Sequence, residues 1–157
     1  MTLADLRRIF PDACEDTWHQ HKNGGGWVQN TATVDESVHV GCNAKVSGDA
    51  QVYGDAWVSG NAQVYGNAKV SGDAQVYGDA WDSSPLYIQG SRHSLTHCAR
   101  GQVRISCYET IFLENWREFY REIALQNRYR DAEIAEYHDY LELFEKRDKA
   151  VFGEVTE

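Results

Sequence analysis

The chain has no apolar run of 18 or more residues and no basic N-terminal segment leading into an apolar one. Neither a membrane span nor a secretory signal peptide is therefore expected. The four cysteines, Cys14, Cys42, Cys98 and Cys107, show no paired spacing. That argues against a disulfide framework and for reduced thiols in a cytoplasmic protein. Basic residues are scarce as well: 15 Lys and Arg stand against 24 Asp and Glu, for a net charge of −9. Phosphate contacts need clustered Lys and Arg, so neither nucleic acid nor an anionic membrane is an expected partner. The acidity is concentrated in residues 109–157, with thirteen acids against seven bases. It fits either a solvated helix face or a surface that docks on a basic site of another protein. The length of 157 residues suits one compact domain and is short for two ordinary ones.

What the sequence does have is a repeat. Val28, Val34, Val40, Val46, Val52, Val58, Val64, Val70 and Val76 recur at intervals of six. Ala sits two positions before most of them, with Val38 in its place once, and Gly two positions after each Val from Val46 onward, giving the unit N/D-A-x-V-x-G. A period of six suits neither an α-helix nor a plain strand. It suits a coil of three short strands, in which Val points inward as the β-branched core residue. Ala then fills the tight corner, while Gly, Asn and Asp tolerate positive φ there. Three units make a turn, and parallel ladders spaced about 4.8 Å apart satisfy the backbone.

Both ends of such a coil need covering. Residues 3–10 have helical spacing and stop at Pro11, which predicts a short N-terminal helix, and Gly24–Gly26 read as a flexible lead-in. The expected organisation is a cap and lead-in over 1–25, the β-helix with a closing strand over 26–107, and a helical tail over 108–157. Asp82 falls in a Val position, where a buried carboxylate is costly unless hydrogen-bonded. The coil is expected to deform there, with Asp82 reaching Ser83, Ser84 or the backbone, and to resume at Leu86–Gly90. Phe112, Trp116, Phe119, Tyr120 and Ile123 mark one helix. Ile134, Tyr137, Leu141 and Phe144 mark a second, N-capped by Asp131.

The repeat resembles that of the hexapeptide-repeat superfamily. The resemblance implies a mainly β fold, a left-handed parallel β-helix, here with a short N-terminal helix and a C-terminal α-helical hairpin, and a homotrimer. Further motifs sharpen it: Gly-Gly-Gly-Trp-Val (24–28), Ser-Pro-Leu-Tyr-Ile-x-Gly-Ser-Arg (84–92), Ile-x-Cys (105–107) and a Trp- and Tyr-rich tail with Glu-x-x-x-Tyr. Together they are similar to a group of small hexapeptide-repeat proteins of phages and prophages. That origin would place the protein in the host cytoplasm. The group implies no settled activity.

Two classes of function follow. Acyltransferases of the superfamily use a catalytic His on a loop that interrupts the coils, with acetyl-coenzyme A held between subunits. Here the repeat runs from Val28 to Val76 without insertion. Of His19, His21, His39, His93, His97 and His138, only His93 and His97 lie near a break, and no carboxylate is evident to orient either. A metal site like that of the γ-class carbonic anhydrases is not expected, since His39 and His93 would stand three turns, about 14 Å, apart in one column.

The alternative is binding without a cofactor. Folded in 18-residue turns, His39, Trp57, Gln75 and His93 share a column, and Trp27, Lys45, Gln63 and Trp81 share another. Such aromatics serve either trimer contacts or a ligand surface. Trp57, Trp81, Tyr87, Arg92 and His93 are the candidate ligand residues, suited to a planar anionic small molecule such as a nucleotide. The function expected is counter-defence, by sequestering such a molecule between subunits or by inhibiting a host protein. A purely structural trimer is the third possibility.

Overall fold

The computed structural model describes residues 1–105 and 109–153, and the chain divides into two compact units, Met1–Pro85 and Leu86–Glu157. The first is a β-solenoid of about three turns. Three parallel ladders run along it. One joins β2 (Trp27–Gln29), β5 (Lys45–Val46), β8 (Gln63–Val64) and β11 (Ala80–Trp81). The second joins β3 (Thr33–Val34), β6 (Gln51–Val52) and β9 (Lys69–Val70), and the third β4 (His39–Val40), β7 (Trp57–Ser59) and β10 (Gln75–Tyr77). From Val28 to Val58 each Val pairs with the Val one turn on, as Val40 with Val58 and Val58 with Val76. The Val column from Val40 to Val76 and the Ala column from Ala44 to Ala74 are buried, as the six-residue period requires. Gly48 shows why the corner needs glycine: its φ is +66°, and a Cβ there would lie 2.9 Å from the Gly66 nitrogen.

The first coil is closed by α1 (Leu3–Arg7) and by β1 (Trp18–Gln20), which pairs antiparallel with β2. Thr2 caps α1 in a reciprocal box with Asp5, and Leu6, Ala13, Trp18 and Trp27 form a small core beneath it. The Trp27 indole donates to the Met1 carbonyl at 3.1 Å. The Gly triplet is not the slack lead-in expected. Gly26 donates to the Val40 carbonyl and Gly25 to that of His21, while Val40 donates to Asn23. A Cβ on Gly24 would meet the Val40 oxygen at 2.3 Å and one on Gly26 the Gly41 oxygen at 2.4 Å, so close backbone approach demands these two glycines, while Gly25 holds φ +73°.

At the other end the register slips. Ala80 pairs with Gln63 and Trp81 with Val64, so the last rung closes one residue early. Gly78 keeps the positive φ of the other corner glycines, +75°, and Asp79 adds a second, +53°, where the slip is made. Trp81 thereby takes the inward position, 1% exposed, and Asp82 turns out to solvent. Ser84, not Asp82, completes the end by accepting the Lys69 N–H at 2.9 Å. The decapeptide Gly-Asp-Ala-Gln-Val-Tyr-Gly-Asp-Ala-Trp occurs twice, at 48–57 and 72–81. Its tryptophan is 48% exposed in the first copy and buried in the second.

The second unit is not a continuation of the coil. β12 (Tyr87–Gln89), β13 (Ser94–Ala99), β14 (Gln102–Ile105) and β15 (Glu109–Phe112) form an antiparallel meander. Residues 86–90 therefore do not resume the stack, and residues 102–105 pair within this sheet; Ser106 and Cys107 lie outside the described residues. α2 (Trp116–Gln126) and α3 (Asp131–Phe152) follow. Leu95, Val103, Ile111, Trp116, Tyr137, Leu141 and Phe144 build a core of the unit's own. The predicted stripes of both helices are thus its packing faces, although Phe119 and the strand residue Phe112 stay exposed. Asp131 is the first helical residue of α3 rather than its cap. Arg130 takes the cap position, its backbone N–H bound by Glu133 at 2.7 Å. Among the described residues no helix is long and apolar enough to cross a membrane.

Candidate functional site

The C-terminal unit holds an apolar cavity of about 130 Å³ between α2, α3 and the meander. Its walls include Ile105, Ile111, Ile123, Ala124, Ile134 and Leu141, and its polar rim is formed by Arg92, His93, Asn127 and Tyr129. Two local structures build that rim. The first is the turn between β12 and β13, which is clamped onto α3. The Tyr137 hydroxyl accepts from the Arg92 and His93 amides at 3.2 and 2.5 Å, and donates to the His93 carbonyl at 2.8 Å. Glu136 accepts from the Ser91 amide and hydroxyl and from Tyr140. These bonds hold the Glu136 carboxyl below its usual range, and desolvation raises the Tyr137 phenol.

The second is the turn between the helices. Arg128 and Tyr129 donate back to the carbonyls of Leu125 and Ala124, which closes α2 in the double-bonded manner of a Schellman cap. Arg128 holds φ +58°, a position glycine usually fills. Its carbonyl accepts Nη1 of Arg92 at 3.0 Å. The Arg92 guanidinium lies 4.6 Å from the centre of the Tyr129 ring, and Glu133 stands 3.9 Å from its Nη1. Tyr129 in turn meets Tyr137 edge-on at 5.2 Å. Arg92 remains 36% exposed on its side chain. Its Nε and Nη2 have no hydrogen-bond partner among the described residues.

The expected site residues are thus divided. Arg92 and His93 meet at the cavity, together with Tyr129 and Tyr137, which the sequence did not single out as ligand residues. Tyr87 lies in the same unit, bonds Gln89 at 3.1 Å and does not line the cavity. Trp57 and Trp81 belong to the solenoid. Trp57 stacks on His39 at 3.8 Å, and the His39 imidazole, whose Nδ1 lies 3.2 Å from Asn23, is lowered chiefly by burial. Trp81 is a core residue, so it presents no ligand surface: the register slip moved it out of the column of Trp27, Lys45 and Gln63. His93 likewise does not continue the column of His39, Trp57 and Gln75, because the ladder ends at β10.

His97 has the orienting carboxylate that the sequence did not reveal. Its Nε2 lies 2.8 Å from Asp148, which also accepts the Gly101 amide at 2.6 Å. Fifty-one residues separate the two, so no local spacing could have joined them. Yet His97 is 0% exposed, with Phe144 and Phe152 edge-on to its ring, and no substrate reaches it in this state. A wider polar depression adjoins Asp148 near Arg117, Glu145 and Lys149, whose charges pair with each other. Among the described residues no group of three or more His, Cys, Asp or Glu is placed to hold a metal ion.

Comparison with known families supports the class of fold. A model of the YdcK beta solenoid repeat matches residues 50–65 and 62–78, the middle of the Val column. No curated protein and no solved structure matches the chain. The match supports a β-solenoid repeat and carries no activity with it.

Proposed function

We propose that the chain is a ligand-binding protein rather than an enzyme, and that its site is the Arg92-rimmed cavity of the C-terminal unit. What supports this reading most is one combination: a largely apolar cavity beside a guanidinium held by backbone and ring, with donors to spare. Burial of His97 weighs against the coenzyme A-dependent acyltransferase reading, since a general base must come within hydrogen-bond reach of its substrate.

The homotrimer, the phage setting and counter-defence enter this proposal from the resemblance. For the trimer there is a second support. The strands β4, β7 and β10 carry no charged residue, and their outer side presents Trp57 and Tyr77. In so acidic a chain, an uncharged aromatic face suits contact with another copy.

The test is a thermal-shift screen with small organic acids, cyclic nucleotides and acetyl-coenzyme A, run on the full chain and on Ala124→Leu, which narrows the cavity. Stabilisation by a small ligand that Ala124→Leu abolishes is the expected result. Turnover of acetyl-coenzyme A that is lost in His93→Ala or His97→Ala would overturn the proposal in favour of acyl transfer.

A further inference from the structure

We infer that the ligand of the Arg92-rimmed cavity is a small monocarboxylic acid with a hydrocarbon body, a single aromatic ring or a short branched chain, and not a nucleotide; this rests on the cavity being the binding site.

Size is the first argument. The cavity of about 130 Å³ is close to the ~150 Å³ engineered cavity that takes up one benzene. A single ring or a five- to six-carbon branched chain fills such a space. A purine with its ribose does not fit inside it.

The walls give the second argument. Ile105, Ile111, Ile123, Ala124, Ile134 and Leu141 offer side chains without donors or acceptors; of the two tyrosines that also line the cavity, Tyr120 and Tyr137, the second spends its hydroxyl on the Arg92–His93 turn. A nucleobase placed among them would leave ring nitrogens and exocyclic groups unpaired, each weakening binding by about tenfold or more. A hydrocarbon leaves nothing unpaired and gains from leaving water.

The rim supplies the charge and its limit. Stacking on Tyr129 and the bond from Nη1 to the Arg128 carbonyl hold the guanidinium plane, so its order is set before a ligand arrives. The Nε and Nη2 edge, unclaimed among the described residues, matches the two oxygens of a carboxylate. Glu133, 3.9 Å from the same guanidinium and paired also with Arg130 at 2.9 Å, already supplies one negative charge. A second negative charge on the ligand, as on a phosphate monoester, would face that carboxylate. One charge on a hydrocarbon is what the site accommodates.

Ligand-observed NMR titrations of the full chain with phenylacetate, phenylacetamide, AMP and toluene test this, with Arg92→Gln as the variant and circular dichroism as the check on its folding. Phenylacetate should bind about tenfold or more tighter than phenylacetamide, the difference of one charge-assisted pair. In Arg92→Gln the two should become equal while toluene binding is unchanged. Phenylacetamide binding as tightly as phenylacetate, AMP binding more tightly than phenylacetate, or toluene binding while phenylacetate does not, would each overturn the ligand class and leave the cavity a binding site. Failure of all four compounds, toluene included, would overturn the site itself.

Discussion

At the scale of single residues, the two copies of one decapeptide separate what a side chain prefers from where the backbone sends it. Trp57 and Trp81 follow the same nine residues, yet one stacks on His39 outside the coil and the other is the largest residue inside it. What differs is the next residue: Val58 is core, whereas Asp82 would bring a carboxylate inward. A one-residue slip exchanges the two faces of a strand, so burying the indole instead of the carboxylate removes a desolvation cost and gains apolar area. Trp81→Ala should therefore destabilise the protein by about 3–5 kcal/mol. Trp57→Ala should cost the single chain about 1 kcal/mol or less, apart from any loss of contact between copies. Chemical denaturation followed by far-UV circular dichroism measures both, and equal costs would mean that the slip does not occur.

At the scale of elements, the strands and helices of the C-terminal unit are held to each other by specific polar bonds as well as by packing. The turn carrying Arg92 is bound to α3 through Glu136 and Tyr137, and Gly90 is needed there because a Cβ would lie 2.8 Å from the Tyr137 hydroxyl. Hydrogen bonds from Ser91 depress the Glu136 carboxyl. Its contribution to stability is thus complete above the ordinary carboxylate pKa and is lost as pH falls through the lower, folded-state value. The melting temperature should drop on acidification through and below pH 4, and Glu136→Gln should make that drop shallower. A variant with the unaltered acid profile would show that the clamp carries no linkage. Here the sequence was legible in part. The Val and Ala columns named their strands because each coil repeats the same environment. The stripes of Trp116, Tyr120 and Ile123, and of Ile134, Tyr137 and Leu141, named the helices by period. The meander was hidden because Leu86, Ile88 and Gly90 keep the repeat's spacing while pairing antiparallel. The rim of the cavity was hidden because Arg92 is far in the chain from Tyr129 and Tyr137, and only pairing of its turn with the helices unites them.

At the scale of the whole molecule, the two units draw on different sources of stability. A solenoid buries a narrow column of small side chains and adds stability rung by rung, so it depends on its ends being closed. The C-terminal unit instead gathers large aromatics into one core, which is why a chain short for two ordinary domains divides into two. The proposed trimer would use the uncharged solenoid face of a chain whose net charge is −9. Native mass spectrometry at micromolar concentration should give a trimer, and Trp57→Glu should shift it toward monomer by placing like charges at the interface. A monomer at all concentrations would remove that part of the proposal.

The early-closing rung bears on how such a chain can change length over generations. Gain or loss of an 18-residue stretch of the gene upstream adds or removes one whole coil, about 4.8 Å of rod, and returns the terminal slip to the same face. Gain of six or twelve residues upstream also keeps every valine inward and leaves Ser84 opposite Lys69, but turns the terminal slip by one or two thirds of a coil relative to the N-terminal cap. Only a gain in whole turns thus keeps the slip on the face it now occupies, although the repeat itself is written in thirds of a turn.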